Sequence, residues 1–197
     1  MPRVSLRASR ACSGAGIRYT YPDVWSLSNA LFLLPMSRRA GLVLAFGLAF
    51  AVFAVDQGIK ALVEGSMRVG ESVELIPGFL SLTHIKNDGG AFGILGGSQA
   101  VLLAGSALAV GVVLWMLLSG EPSTLTTLGC GLILGGAAGN LLDRLSTGEV
   151  TDYVHFSFWY IFNAADAAIT AGVALLLFSV LWAERAARPS AVSDQRE

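Results

Sequence analysis

The chain has 197 residues, about one domain's worth, and is 54% hydrophobic, 14% charged, with a formal net charge of −1. Soluble domains sit nearer about 45–50% apolar and ~25% charged, so a mean hydropathy of +0.64 excludes an ordinary soluble fold and points to a membrane protein. The charge balance lacks the basic excess of a nucleic-acid binder, and Cys12 and Cys130 are too isolated to form a disulfide framework or a metal motif.

Residues 1–35 carry scattered Arg, Ser and Gly, and Asn29–Leu34 is too short to cross a bilayer. They are expected to be a disordered extension or to precede the natural start, because Met36-Ser-Arg-Arg reads as a start followed by positive charge. A hydrocarbon core of ~30 Å needs roughly 20 helical residues, and four segments qualify. The first runs from about Ala40 to Val63, with Asp56, Gln57 and Lys60 in its second half. A cleaved signal peptide over Met36–Val55 is the alternative, but the apolar run ends in Val-Asp-Gln rather than a small-residue cleavage site, which favours a retained helix. In the connection Glu64–Gly97, Val73, Leu75, Phe79, Leu80, Leu82 and Ile85 alternate around Pro77-Gly78. This pattern predicts a small β element on the membrane surface, followed by a tight turn at Asn87–Gly90.

The second span runs from about Ser98 to Leu118. The third, about Leu125 to Leu142, reads as short. Its Gly131, Gly135 and Gly139 recur every four residues, a spacing that admits a closely packed neighbour. After it, Asp143–Phe162 contains VTDYVHF, which alternates like a strand. The fourth span runs from about Asn163 to Ala183, followed by a short tail over residues 185–197. Arg38 and Arg39 precede the first span, and Arg185 and Arg188 follow the last. Both termini are therefore expected in the cytoplasm, with the two larger connections outside. The expected architecture is an α-helical membrane protein of four transmembrane helices with a small extracytoplasmic β element. Residues 36–184 form the membrane domain.

Charges beside a membrane helix cost about 2.5–3.5 kcal/mol to insert, so they are normally turned inward and paired. Asp56 and Lys60 have ion-pair spacing. Asn140, Asp143 and Arg144 share a helical face, and Asp143 beside Arg144 reads as a structural pair. Asp166 lies in an apolar helix with no basic residue within a turn, and Asp152 in VTDYVHF also lacks a local cation. Buried acids of this kind share a proton when brought together, although local pairing alone leaves Asp88 and Glu149 open as well. Three readings follow from pattern: an intramembrane aspartic protease, a proton-coupled carrier, or a non-enzymatic partner whose polar residues join helices. A carrier would more often show internal repeats or interrupted helices. No H-E-x-x-H or G-x-S-x-G string is present, and His84 and His155 read as loop or interface residues rather than ligands.

Five strings then carry a family likeness: VDQGIK (Val55–Lys60), NDGGAFG (Asn87–Gly93), GGAAGNLLDRL (Gly135–Leu145), VTDYVHF (Val150–Phe156) and FNAADAAITAG (Phe162–Gly172). In this order on a four-span frame, the chain resembles the bacterial lipoprotein signal peptidase (signal peptidase II) family from about Arg38 to Glu184. The resemblance implies an aspartic endopeptidase of the inner membrane. It would remove signal peptides from diacylglyceryl-modified prolipoproteins on the amino side of the lipidated cysteine. It implies Asp152 and Asp166 as catalytic acids. Asp56, Lys60, Asn87, Asn140, Asp143, Arg144 and Asn163 would support the dyad and clamp substrate. No metal or organic cofactor is implied. The expected partners are lipidated prolipoproteins and membrane lipid, with no nucleic acid and a monomer favoured. In one departure from the family pattern, only 13 residues separate Asp152 from Asp166, a short connection. The other is the N-terminal extension.

Overall fold

The computed structural model describes residues 36–89, 99–120 and 122–187. The expectation of disorder before Met36 lies outside these residues, as do Gly90–Gly93 of the NDGGAFG string and the end of the C-terminal tail. In chain order the elements are α1 (Arg38–Ser66), β1 (Ser72–Ile76), β2 (Leu80–Asn87), α2 (Gln99–Leu118), α3 (Thr124–Ser146), β3 (Val150–Phe156) and α4 (Ala164–Ala187). Four described helices are long and apolar enough to cross a membrane.

The middle of the bundle is α3. Its residues are mostly buried, whereas α1, α2 and α4 turn most of their apolar surface outward. Val43, Phe50, Leu108, Trp115 and Leu177 are all exposed. Such an arrangement suits a hydrocarbon solvent, where apolar side chains gain nothing by hiding and helices associate by close packing instead. Glycine supplies that packing along two edges of α3. Toward α1, a Cβ at Gly131 would lie 2.8 Å from the Ala45 carbonyl oxygen, and one at Gly135 would lie 2.5 Å from that of Ala49. At Gly139 it would collide with Asp56 Oδ2. Toward α4, a Cβ at Gly136 would lie 2.5 Å from the Ala165 carbonyl oxygen, and Gly129 meets Gly172 backbone to backbone. The four-residue glycine repeat is therefore a helix contact, and the second edge is additional to it. Beneath these contacts Ala45, Ala49, Val113, Leu117, Cys130, Ile133 and Leu134 form one buried cluster.

The third helix is longer than its apolar run suggests, with 23 residues reaching Ser146. It continues past Leu142 because neighbouring elements give Asn140 and Asp143 partners, as described below, while Arg144 bonds back to the Asn140 carbonyl of the same helix. It closes where Thr147 N–H donates to the Asp143 carbonyl at 2.9 Å, ahead of Gly148 at φ 84°.

The β element is a three-stranded antiparallel sheet in the order β1-β2-β3. Pro77-Gly78 makes the expected turn: Gly78 sits at φ 68°, and Phe79 N–H donates to the Ile76 carbonyl at 3.0 Å. VTDYVHF is the third strand. Between the pairs Leu82↔Val154 and Ile85↔Asp152, β2 advances three residues while β3 advances two, a bulge in β2. Beyond the bulge, Lys86 faces Thr151 and Asn87 faces Val150. The short connection into α4 folds back on β3, with Val154 N–H donating to the Phe162 carbonyl at 2.8 Å and Phe162 N–H returning to Val154 at 3.0 Å. Its outer corner is aromatic. Phe79 contacts Phe156 and Phe158, while Phe158, Trp159 and Tyr160 stand exposed.

Candidate active site

The site begins with the first turn of α4, whose amide groups need partners from outside the helix. Phe162-Asn163-Ala-Ala-Asp166 supplies a reciprocal cap. Asn163 Oδ1 accepts from Asp166 N–H at 3.0 Å, and Asp166 Oδ2 accepts from Asn163 N–H at 3.2 Å. Ala164 N–H donates to Tyr153 Oη at 3.0 Å, and Ala165 N–H donates to Asp56 Oδ1 at 3.0 Å. An anion on a helix N-terminus is favoured electrostatically, so Asp56 of α1 seats the start of α4 while remaining fully buried. Gly139 leaves the room that its carboxylate occupies.

Asn163 also joins the two unexplained acids. Its Nδ2 donates to Asp152 Oδ1 at 2.7 Å, while its backbone N–H bonds Asp166. Asp152 Oδ2 accepts from Asn87 Nδ2 at 2.8 Å, and Asp166 Oδ1 accepts from Asn140 Nδ2 at 2.8 Å. Asn140 Oδ1 in turn accepts from Asn163 Nδ2 at 3.1 Å and from Lys60 Nζ at 2.9 Å. Lys60 pairs with Asp56 at 2.8 Å and with Asp143 at 2.6 Å. Gln57 Nε2 closes the network on Asp143 Oδ1 at 2.9 Å. Each carboxylate oxygen of Asp152 and Asp166 accepts one amide N–H, and a buried cation stands one side chain away.

The two acids differ in surroundings. Asp152 is 2% exposed. Burial pushes its carboxyl up from 3.8 to about 6, and the Asp166 charge pushes the same way. Its amide bonds from Asn87 and Asn163, and the Lys60 charge, oppose this only in part. Burial likewise pushes the Tyr153 hydroxyl up to about 12. Asp166 is half-buried. It stands at the polar end of a groove of about 270 Å³ whose lining includes Gly105, Ser106 and Ala109 of α2, Ile133 and Ala137 of α3, and Ile169 of α4. Asn140 and Arg144 line the same end.

The residues singled out in sequence thus converge. Asp56, Lys60, Asn87, Asn140, Asp143, Asp152, Asn163 and Asp166 belong to one hydrogen-bonded cluster, and Arg144 Nη1 reaches the Asn140 carbonyl at 3.5 Å. Asp143 takes its ion pair from Lys60 on the neighbouring helix, although Arg144 is next to it in sequence. Asp88 and Glu149 are exposed. His84 lies in the β2 bulge with Nδ1 3.0 Å from the Met67 carbonyl, and His155 Nδ1 lies 3.4 Å from Ser81 Oγ. Sequence reading missed Gln57, Tyr153 and the capping role of Asn163. The Asn-x-x-Asp spacing at a span's start was a visible signal for the last. Nothing local marks Tyr153, whose bond to Ala164 depends on the return of the chain after β3.

The fold and site define a multi-pass membrane protein with a hydrogen-bonded cluster of carboxylates, amides and a lysine at one end of its helix bundle. The sequence matches the family model described as signal peptidase (SPase) II over residues 48–182. A lipoprotein signal peptidase of Desulfitobacterium hafniense is 42% identical over 139 residues, covering 70% of this chain and 92% of the relative. One of Symbiobacterium thermophilum is 40% identical over 149 residues, covering 73% and 97%. A solved bacterial membrane enzyme structure superposes with a TM-score of 0.68 at 29% identity, covering 75% of this chain and 93% of that one. The chain belongs to the signal peptidase II family and is a peptidase.

Proposed function

We propose that this chain is an intramembrane aspartic endopeptidase. It removes signal peptides from diacylglyceryl-modified prolipoproteins, cutting on the amino side of the lipidated cysteine. The observation that carries the catalytic type is the Asn163 bridge. One side chain bonds Asp152 at 2.7 Å, and the same residue's backbone bonds Asp166 at 3.2 Å. This draws both acids onto one residue, with Asp166 lining the polar end of the groove and Asp152 buried behind it. A water between them would lose a proton to one carboxylate while the other donates a proton to the scissile carbonyl oxygen. Two neighbouring acids suit both roles because a single proton is shared across them. The burial and raised titration of Asp152 support proton-sharing near neutral pH.

Lys60 and Asn140 hold the amides that orient the acids. Arg144, at the polar end of the groove, has fixed donors that suit peptide carbonyls. The peptide must be extended there, because a helix engages its own carbonyls. Diacylglycerol among the lipid tails would anchor the cysteine, and such positioning is worth several kcal/mol, up to about 7–11 in favourable cases. Arg38 and Arg39 stand at the end of α1 remote from Asp56 and Lys60, which supports an extracytoplasmic site under the positive-inside tendency.

The test is cleavage of one prolipoprotein in detergent, with and without its diacylglycerol, and with the new amino terminus mapped by mass spectrometry. Cleavage of the lipidated form alone, immediately before the cysteine, is expected. Equal cleavage of both forms would contradict the lipid requirement. A folded protein that cleaves neither would contradict the assignment of substrate.

A further inference from the structure

Asp56, Lys60 and Glu64 recur every four residues along α1, about 6 Å of rise apart and on one face. Each reaches a different element. Asp56 Oδ1 holds the first turn of α4 through Ala165, and Lys60 holds α3 through Asn140 and Asp143. Glu64 Oε1 accepts from both Lys86 Nζ of β2 and Thr151 Oγ1 of β3, and Lys86 Nζ donates to Thr151 Oγ1 at 2.8 Å. Lys86 and Thr151 are directly paired across the two strands.

Their neighbours carry the chemistry of the proposed site. Asn87 follows Lys86, Asp152 follows Thr151, and side chains alternate faces along a strand. One face of the β2–β3 ladder therefore presents the Asn87–Asp152 hydrogen bond, and the opposite face is fastened to α1. Between Lys60 and the Glu64 anchor lies a polar cavity of about 140 Å³, lined by Gln57, Lys60, Glu64, Asp143, Glu149 and Thr151 among others. Directional polar contacts thus help hold the sheet to α1 at this level.

We propose that Glu64 and Lys86 are positioning residues that fix the Asp152 carboxylate against Asp166 by clamping the back of the β2–β3 ladder to α1. The inference rests on the dyad reading above. In this arrangement α1 is a common ruler. Its four-residue spacing sets α4, and with it Asp166, through Asp56, and sets β3, and with it Asp152, through Glu64. Glu64 and Lys86 touch neither acid, so their loss would displace Asp152 without removing a substrate contact.

The experiment compares Glu64→Ala, Glu64→Gln, Lys86→Met and the double variant Glu64→Ala/Lys86→Met with wild type and Asp152→Asn. Initial rates on a lipidated prolipoprotein are measured in detergent, with thermal unfolding alongside. Displacements of about 1 Å can cost on the order of 100-fold in rate, so kcat is expected to fall by about tenfold or more with KM within about twofold. Glu64→Gln keeps an acceptor oxygen and should recover part of the loss. The double variant should be no slower than the slower single one, because the residues act as one unit. Lys86→Met and Thr151→Val carry the test if Glu64→Ala does not fold.

Unchanged kcat in Glu64→Ala and Lys86→Met, a loss confined to KM, or additive losses would overturn the clamp while an inactive Asp152→Asn leaves the dyad standing. An Asp152→Asn variant with wild-type turnover would overturn both readings.

Discussion

Replacing Asp152 by Asn removes a carboxylate that the fold holds at a cost. In the folded chain its carboxyl titrates at about 6, against an ordinary value of 3.8, chiefly because the side chain is buried. Below the lower value the group is protonated in both folded and unfolded chains and contributes no difference. Between the two, the unfolded chain ionises while the folded chain keeps its proton. Stability therefore falls as pH rises, and above about 6 the full penalty is present. At 1.36 kcal/mol for each pH unit between 3.8 and about 6, the penalty is about 3 kcal/mol.

An amide side chain in its place would avoid this penalty. It would, however, offer one acceptor to two amide donors, Asn87 Nδ2 and Asn163 Nδ2. That mismatch costs about 1–3 kcal/mol independently of pH. The informative quantity is thus the change in the stability difference with pH. The melting temperature of Asp152→Asn minus that of wild type should rise by roughly 6–12 °C between pH 3 and pH 7.5, using about 2–4 °C per kcal/mol for a chain of this size. Differential scanning fluorimetry in one detergent across that range measures it. Parallel melting curves for the two proteins would refute the reasoning, because they would place the Asp152 carboxylate in a solvated environment.

Three further outcomes follow from the packing and the caps. Gly139→Ala drives a methyl into Asp56 Oδ2. Displacing that carboxylate breaks its bonds to Lys60 and Ala165, so a loss of up to about 3–5 kcal/mol is expected; a melting temperature within about 2 °C of wild type, the measure of a small perturbation, would contradict this contact. Asn163→Ala removes both the cap of α4 and the bridge between the acids. It should cost about 0.5–2 kcal/mol of stability by thermal melting but at least about 100-fold in turnover, and equal modest losses in both would make Asn163 a cap alone. Trp159 is exposed five residues before α4 begins, beside exposed Phe158 and Tyr160. In a variant keeping Trp159 as the sole tryptophan, its fluorescence should be quenched by shallowly labelled lipid, as befits an interfacial aromatic girdle; quenching by aqueous iodide without any by lipid would place this corner away from the bilayer.

The four spans were legible because their apolar runs are long, and the Pro77-Gly78 hairpin because its turn chemistry is local. Asp56 with Lys60 also followed from spacing alone. The reach of α3 did not, because a run that stops at Leu142 gives no sign that Lys60, Gln57 and Asp166 lie ready to satisfy Asn140 and Asp143. The preference for Lys60 over Arg144 as partner of Asp143 is likewise tertiary. Sequence offered the adjacent cation, whereas the glycine edge of α3 brings α1 close enough for the more distant one to win. For the two acids, local pairing narrowed the choice without completing it. Asp88 and Glu149 remained open in sequence; both are exposed, whereas the sheet register and the return of the chain after β3 set Asp152 beside Asn87 and Asn163. Glu64 was read only as the start of a connection, because its place in line with Asp56 and Lys60 gains meaning from the β2 bulge and the Lys86↔Thr151 pairing.

The most direct measurement is turnover of a diacylglyceryl prolipoprotein by wild type, Asp152→Asn and Asp166→Asn, each first shown to be folded by its melting transition. Cleavage by wild type and by neither variant is the predicted result, with both losses lying in kcat. Near wild-type cleavage by either variant would remove that carboxylate from the reaction and contradict the two-acid account.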